Sequence, residues 1–252
     1  MIWSDTDAGP LTVTVPDRTA LLADLGQRFD TQAGFSVATL NLDHVVKLRR
    51  DPAFRAAYGA HSHITADGNP ITWLARLAGQ RNIALVPGSE LIDPVAGLAA
   101  EKDVSVALFG ATEASLAEAA EGLRDLYPSL NVALTLAPPM GFDPEGDMAD
   151  AAIRAIGDSG ARLVFLALGA PKQERFAARA QRELPEVGFL SIGAGLDFIS
   201  GAQTRAPAWM RALAAEWLWR LVQSSRRMAP RYGACLAALP GLTLQALKVR
   251  FS

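Results

Sequence analysis

Three short strings place polar side chains where apolar runs stop. In TLNLDH, Thr39 and Asn41 share a face by the two-residue period of a strand, and Asp43 follows as the run ends. In HSHITADGNP, Asp67 stands directly before Gly68 after a short strand. In LALGAPKQERF, a β-like run closes at Gly169, and Pro171 opens a helical pattern that carries Lys172, Gln173 and Glu174. Proline suits the first turn of a helix, and the open backbone N–H groups there favour an anion. Each string also has a purely structural reading. Asn and Asp at strand ends serve as caps and turns, Asp-Gly is a common turn pair, and Lys172 to Glu174 make an ordinary polar first turn.

The elements that would carry these strings are legible from composition and period. The chain has 252 residues, 50% hydrophobic and 20% charged, which is enough for a real core and shows no bias to disorder. The runs FSVATLNL, VSVALFG, NVALTLAP, LVFLALG and VGFLSIGAG are apolar almost without alternation, the pattern of strands buried on both faces. Alanine-rich helical patterns lie between them, as in EASLAEAAEGLRDLYPSL and DMADAAIRAIGDSGA. Alternating β and α predicts an α/β fold, a Rossmann-like parallel sheet flanked by helices. Its ligands should bind beyond the carboxyl ends of the strands, where all three strings stand.

Charge is unevenly spread. The formal net charge of −2 argues against a chain that coats nucleic acid. From Arg205 to Ser252, however, eight basic residues face Glu216 alone, a local charge of +7; the other 16 basic and 25 acidic residues leave the rest at −9. Two domains follow, an acidic core over 1–204 and a basic helical appendage over 205–252. The appendage also holds Trp209, Trp217 and Trp219 of the five tryptophans, the composition of a segment lying at an anionic membrane surface. Its structural alternative is apolar packing on the core with solvated arginines. Pro207, Pro230 and Pro240 predict short, broken helices there.

Other chemistries find little support. Cys235 is the single cysteine, so no intramolecular disulfide is expected, which suits a reducing, cytoplasmic setting. No window reaches the roughly 18 apolar residues of a spanning helix, and MIWSDTDAGPLTVTVPD does not read as a leader. His44, His61 and His63 lack partners at ligand spacing, so no metal site is expected, and Asp5 to Asp7 in DTD fall at a terminus. GAGLDF at Gly193 has two glycines of the dinucleotide fingerprint and lacks the third, leaving an NAD-dependent oxidoreductase as a distant alternative.

Read in order, TLNLDHVVKLRRDPAFR, ADGNPITWLARLAG, VALFGA, LALGAPKQERF, IGAGLDFISGAQTRAPAWMRALAAEWLWRL and RRMAPRY resemble the WecG/TagA/CpsF group of bacterial glycosyltransferases over Phe35 to Tyr232. The resemblance implies an inverting transfer, with no cofactor and no required metal, from a UDP-sugar donor to a polyprenyl-diphosphate-linked sugar in surface-polysaccharide synthesis. It implies a peripheral enzyme on the inner face of the cytoplasmic membrane and leaves homo-oligomerisation open. Asp67 matches the family's general base. Thr39, Asn41 and Gln173 match pocket residues, joined by Gly110, Gly169 and Lys172 in the expected donor site. Asp197 either hydrogen-bonds ribose or sugar hydroxyls or caps the following turn. Arg205, Arg211, Arg220, Arg226, Arg227 and Arg231 match an appendage that meets membrane and lipid diphosphate. One departure stands out: several relatives have an arginine where this chain has Leu85. A catalytically weakened UDP-sugar or lipid-diphosphate binding protein is therefore a second class of expectation.

Overall fold

The computed structural model describes residues 2–3, 11–193, 195–199, 201, 210, 216–223 and 225–251. A two-stranded antiparallel ribbon, β1 (Ile2–Trp3) and β2 (Leu11–Thr12), precedes the main body. There follow α1 (Arg18–Thr31), β3 (Phe35–Leu40), α2 (Leu42–Leu48), α3 (Pro52–Gly59), β4 (His63–Ala66) and α4 (Asn69–Leu77). After a 3-10 turn at Gly88–Glu90 come α5 (Ile92–Glu101), β5 (Val106–Gly110), α6 (Glu113–Leu126), β6 (Val132–Leu136) and α7 (Asp147–Asp158). Then β7 (Leu163–Ala167), α8 (Lys172–Glu183), β8 (Gly188–Ser191) and α9 (Gly195–Ile199) complete the body. Helices Glu216–Gln223 and Ser225–Phe251 close the chain.

Six strands form one all-parallel sheet in the order β4-β3-β8-β7-β5-β6. This is the Rossmann-like α/β architecture expected from the alternating pattern. Successive side chains leave opposite faces of a strand, so Val37, Leu108, Phe165 and Leu190 join α1, α5 and α6 on one side. On the other side Phe109, Phe176 and Phe189 pack with α7 and α8, and Ala38 and Leu40 pack with α2, α3, α4 and the last helix. Burial of this kind is the dominant stabilising term. β6 differs from expectation: its residues alternate between half-buried and exposed, because it pairs only with β5 and forms the sheet's edge.

Local caps set where the helices start. Asp17, Asn41, Asp51 and Thr112 each accept a backbone N–H three residues on, at 2.8 to 3.2 Å. Asp51 also takes both hydrogen bonds from Arg175 Nη2 at 2.7 Å, tying α3 to α8. The start of α4 at Gly68 and the start of α8 at Pro171 carry no side-chain cap.

The final helix departs from the expected broken pieces. It runs 27 residues with Pro230 and Pro240 inside it. Both prolines lie on its exposed side, where water can serve the carbonyls that each ring leaves unpaired. Its inner side, with Cys235, Leu242 and Ala246, packs in the cluster that contains Leu42, Leu74 and Ala75 of α2 and α4. No helix among the described residues is long and apolar enough to cross a membrane.

Candidate active site

The parallel register sets the site. β3 faces β4 with Thr39 opposite Thr65 and Leu40 opposite Ala66, so residues 41 and 67 leave the sheet side by side. The Asp67 N–H closes on Leu40 O at 2.7 Å. Asn41 then does two jobs. Its Oδ1 accepts the His44 N–H at 3.0 Å and caps α2, while its Nδ2 donates to Asp67 Oδ2 at 3.5 Å. One amide thus both caps α2 and contacts the Asp67 carboxylate.

Along the same edge of the sheet lie Thr39 of β3, buried under Gly88, then Gly169 after β7 and Gly110 at the end of β5. A side chain at Gly88 would press on Thr39 Cγ2 at 3.2 Å and Ser191 O at 2.9 Å. Gly110, at φ +121°, would collide with the Ala167 backbone at 2.5 Å, so glycine is required at this crossing of β5 and β7. Asp67 and Gly169 stand three strands apart, roughly 14 Å at normal sheet spacing. That span suits an extended ligand laid across the strand ends.

The Gly169–Pro171 turn is gripped twice. Lys47 Nζ donates to Ala170 O at 3.3 Å, and Gln173 Oε1 accepts the Gly169 N–H at 3.2 Å. Gln173 Nε2 donates in turn to Glu174 Oε1 at 2.9 Å. An ordinary solvated first turn is ruled out, since Gln173 is 2% and Glu174 0% exposed. Lys172, at the first position of α8, is half-buried. Burial pushes the Glu174 carboxyl up to about 7, against the Gln173 hydrogen bond and the Lys47 charge that pull it down. Burial likewise pushes His44 down to about 4, so a neutral imidazole lies behind Asn41, its Nδ1 at 3.3 Å from Tyr58 Oη.

Asp43 is engaged by two cations. It holds Lys47 at 2.8 Å and Arg231 of the last helix at 2.6 Å. Burial alone would raise its pKa, but hydrogen bonds from Arg231 and Lys47 prevail and hold it below the usual carboxylate range. Arg231 is thus joined to the core rather than standing out among solvated arginines. Arg226 is exposed. Arg205 and Arg211 lie outside the described residues, as do the side chains of Arg220, Arg227 and Asp197, although Asp197 itself sits in α9. Asp5 to Asp7 lie outside them as well.

The histidines go separate ways. His61 Nδ1 meets Ala57 O at 2.9 Å, and His63 lies between Ser62 and Asp24 at the opposite end of β4 from Asp67. Among the described residues no three His, Cys, Asp or Glu side chains are grouped to hold a metal ion. Leu85, 41% exposed, forms an isolated parallel bridge with Ala66 and so stands at the sheet end beside Asp67.

The sequence that builds this edge has counterparts in known proteins. A family model described as the glycosyl transferase WecG/TagA/CpsF family matches residues 8–252. The chain belongs to that family. Similar proteins include the N-acetylglucosaminyldiphosphoundecaprenol N-acetyl-beta-D-mannosaminyltransferase of Bacillus subtilis (strain 168), 26% identical over 195 residues, or 77% of this chain and 73% of that one. The protein of the same description from Bacillus spizizenii (strain W23) is 26% identical over 203 residues, covering 79% and 75%. Within this WecG/TagA/CpsF chain, Glu174, Lys47, Asp43 and His44 were not singled out by the sequence for the contacts they make. One signal was present for Gln173. It precedes Phe176, Ala177 and Ala180 by three, four and seven residues, the spacing of an inward helix face.

The Asp43–Arg231 pair gives a pH test. A carboxyl whose folded pKa is lowered stabilises the fold above its unfolded value near 3.9, and the gain is lost as pH falls through the lower folded value. Arg231 is 40% exposed, so the pair should contribute only about 1 kcal/mol. Urea unfolding of Asp43→Asn should show a deficit of that order at neutral pH that closes below about pH 4. A deficit independent of pH would exclude the ion pair as its source.

Proposed function

We propose that this glycosyltransferase moves a sugar from a UDP-activated donor to a polyprenyl-diphosphate-linked sugar, with inversion at the anomeric carbon and no required metal ion. The observation that carries the reading is the Asp67 carboxylate, held by Asn41 at the end of β4 on the same sheet edge as the uncapped start of α8. The names of the two Bacillus relatives, both acting on a diphosphoundecaprenol-linked sugar, support the lipid-linked acceptor. The donor sugar is taken as a UDP sugar from the family resemblance.

In this reading Asp67 accepts the proton of the acceptor hydroxyl as that oxygen attacks the anomeric carbon. The carbon–oxygen bond to UDP breaks on the opposite face, and UDP departs with the electron pair. The growing diphosphate charge is met by the backbone N–H groups of Ala170 and Lys172, by the Lys172 side chain and by the positive end of α8. Gln173, with both ends of its amide engaged inside the protein, shapes that turn from behind. Asp67→Asn keeps the shape of the side chain and removes the base. UDP release dependent on a short-chain polyprenyl-diphosphate-GlcNAc should fall by about 10²-fold or more, with UDP affinity within a few-fold of the unaltered protein by calorimetry. Unchanged turnover would remove Asp67 from the role.

Leu85 favours a second reading, a protein that binds the donor and transfers poorly. Its place beside Asp67 is the position at which the family resemblance calls for an arginine, so this end of the strand edge lacks a charge. Leu85→Arg should then raise kcat by on the order of tenfold if missing charge limits the reaction. No gain in a protein that already turns over would mean that the charge is supplied elsewhere.

Attachment to the inner face of the membrane is the third part of the proposal. Trp217, Leu218, Val222, Leu236, Leu244 and Phe251 are exposed apolar side chains on the last two helices, and Arg226, Lys248 and Arg250 are exposed with them. An apolar surface edged by cations fits an anionic bilayer. Vesicles containing phosphatidylglycerol should co-sediment the protein, and Leu236→Glu with Leu244→Glu should abolish this. Equal binding by the variant would overturn attachment through this helix.

A further inference from the structure

The Gln173 amide is committed at both ends. Its oxygen accepts the Gly169 N–H, and its nitrogen donates to Glu174. A primary amide is nearly symmetric in shape, so its neighbours decide which end carries the oxygen. The Gly169 N–H asks for an acceptor on one side. On the other, the Glu174 Oε1 asks for a donor. If the amide were reversed, its NH2 would face the Gly169 N–H, two donors in opposition, and the turn would have to open.

Glu174 is an expensive way to enforce this. It is wholly buried, and its Oε2 has no hydrogen-bond partner in the structure. Burying a carboxyl with one oxygen unsatisfied is destabilising, and burial pushes this one toward the protonated form. The carboxyl faces Gln173 within α8, Lys47 of α2 and Tyr58 of α3, and two of these elements also carry the site. In either protonation state Oε1 can still accept from Gln173.

We propose that Glu174 is a positioning residue for the donor site: it fixes the Gln173 amide with its oxygen toward Gly169 and so holds the Gly169–Pro171 turn in the shape that receives the donor diphosphate. The proposal rests on the transferase reading above for its function, and on the hydrogen-bond chain alone for its geometry. Glu174 acts through Gln173 and touches no ligand.

The two parts are separable by experiment. In full-length 15N-labelled protein, hydrogen exchange of the Gly169 amide should quicken about tenfold in Glu174→Met, which loses the carboxyl acceptor and keeps only a weakly accepting sulfur, while Val164 to Leu166 in β7 keep their rates. Glu174→Gln retains an acceptor at Oε1 and should leave the Gly169 rate within about threefold. Should the Met variant not fold, Glu174→Asp, one carbon too short to reach, takes its place with the same expectation. In transfer assays Glu174→Met should lower kcat/KM by about tenfold, Glu174→Gln should restore it, and Gln173→Met with Glu174→Met should be no slower than Gln173→Met alone. Unchanged Gly169 exchange in Glu174→Met, or in Glu174→Asp where that takes its place, or losses that multiply in the double variant, would overturn the positioning role. If the unaltered protein transfers no sugar, the transferase reading fails and the exchange rates still decide whether Glu174 holds the turn.

Discussion

The parallel register of β3 against β4 is the constraint on which the rest of the site depends. Because Leu40 lies opposite Ala66, the next residues off each strand emerge together, and the Asp67 N–H can bond Leu40 O. A slip of one residue would send Thr39 and Asn41 to the opposite faces and part Asn41 from Asp67. The register is fixed in turn by burial. Every residue of β3 and β4 is buried, so an alternative pairing would have to repack both layers of helices at once.

Around that pair, α2 works as a bracket. Its first cap, Asn41, reaches Asp67; its Asp43 binds Arg231; its Lys47 binds both Asp43 and Ala170 O. One seven-residue helix thereby joins the carboxylate, the turn before α8 and the C-terminal helix. No single contact here is strong, because exposed ion pairs contribute little and a 3.5 Å hydrogen bond is long. Their value is geometric: they bear on the same short rigid element, so a shift in one is felt by the others.

Polar groups have been kept inside at this end of the sheet at a cost to stability. His44, Tyr58, Gln173 and Glu174 are all buried within the layer formed by α2, α3 and α8, and Ser191 Oγ at the end of β8 has no partner. The opposite end of β3 and β4 buries polar groups too, but Ser36 and His63 there are engaged by Ser62 and Asp24, and Phe35 packs edge-on against the His63 ring. Open α/β sheets place ligands at their carboxyl edge, the edge beside which Gln173 and Glu174 lie.

The sequence by itself determined the fold class, since strands without alternation must be covered on both faces and helices must supply that cover. It also brought out Asp67, Asn41, Gly110 and the Gly169–Gln173 string, because glycine and polar residues interrupting apolar runs mark strand ends. It did not determine partners. Asp43 read as one more strand-end carboxylate, yet beside the nearby Lys47 it has a second partner 188 residues away, and Glu174 read as part of a solvated turn, yet the packing of α8 on α3 and the sheet encloses it. The prolines of the last helix predicted breaks that the fold avoids by turning them to solvent. Local chemistry is set by neighbours within a few residues and can be read in one dimension. Which side chains meet across strands and helices, and which are shut away from water, is settled only when the sheet closes its register and the helices take their places on it.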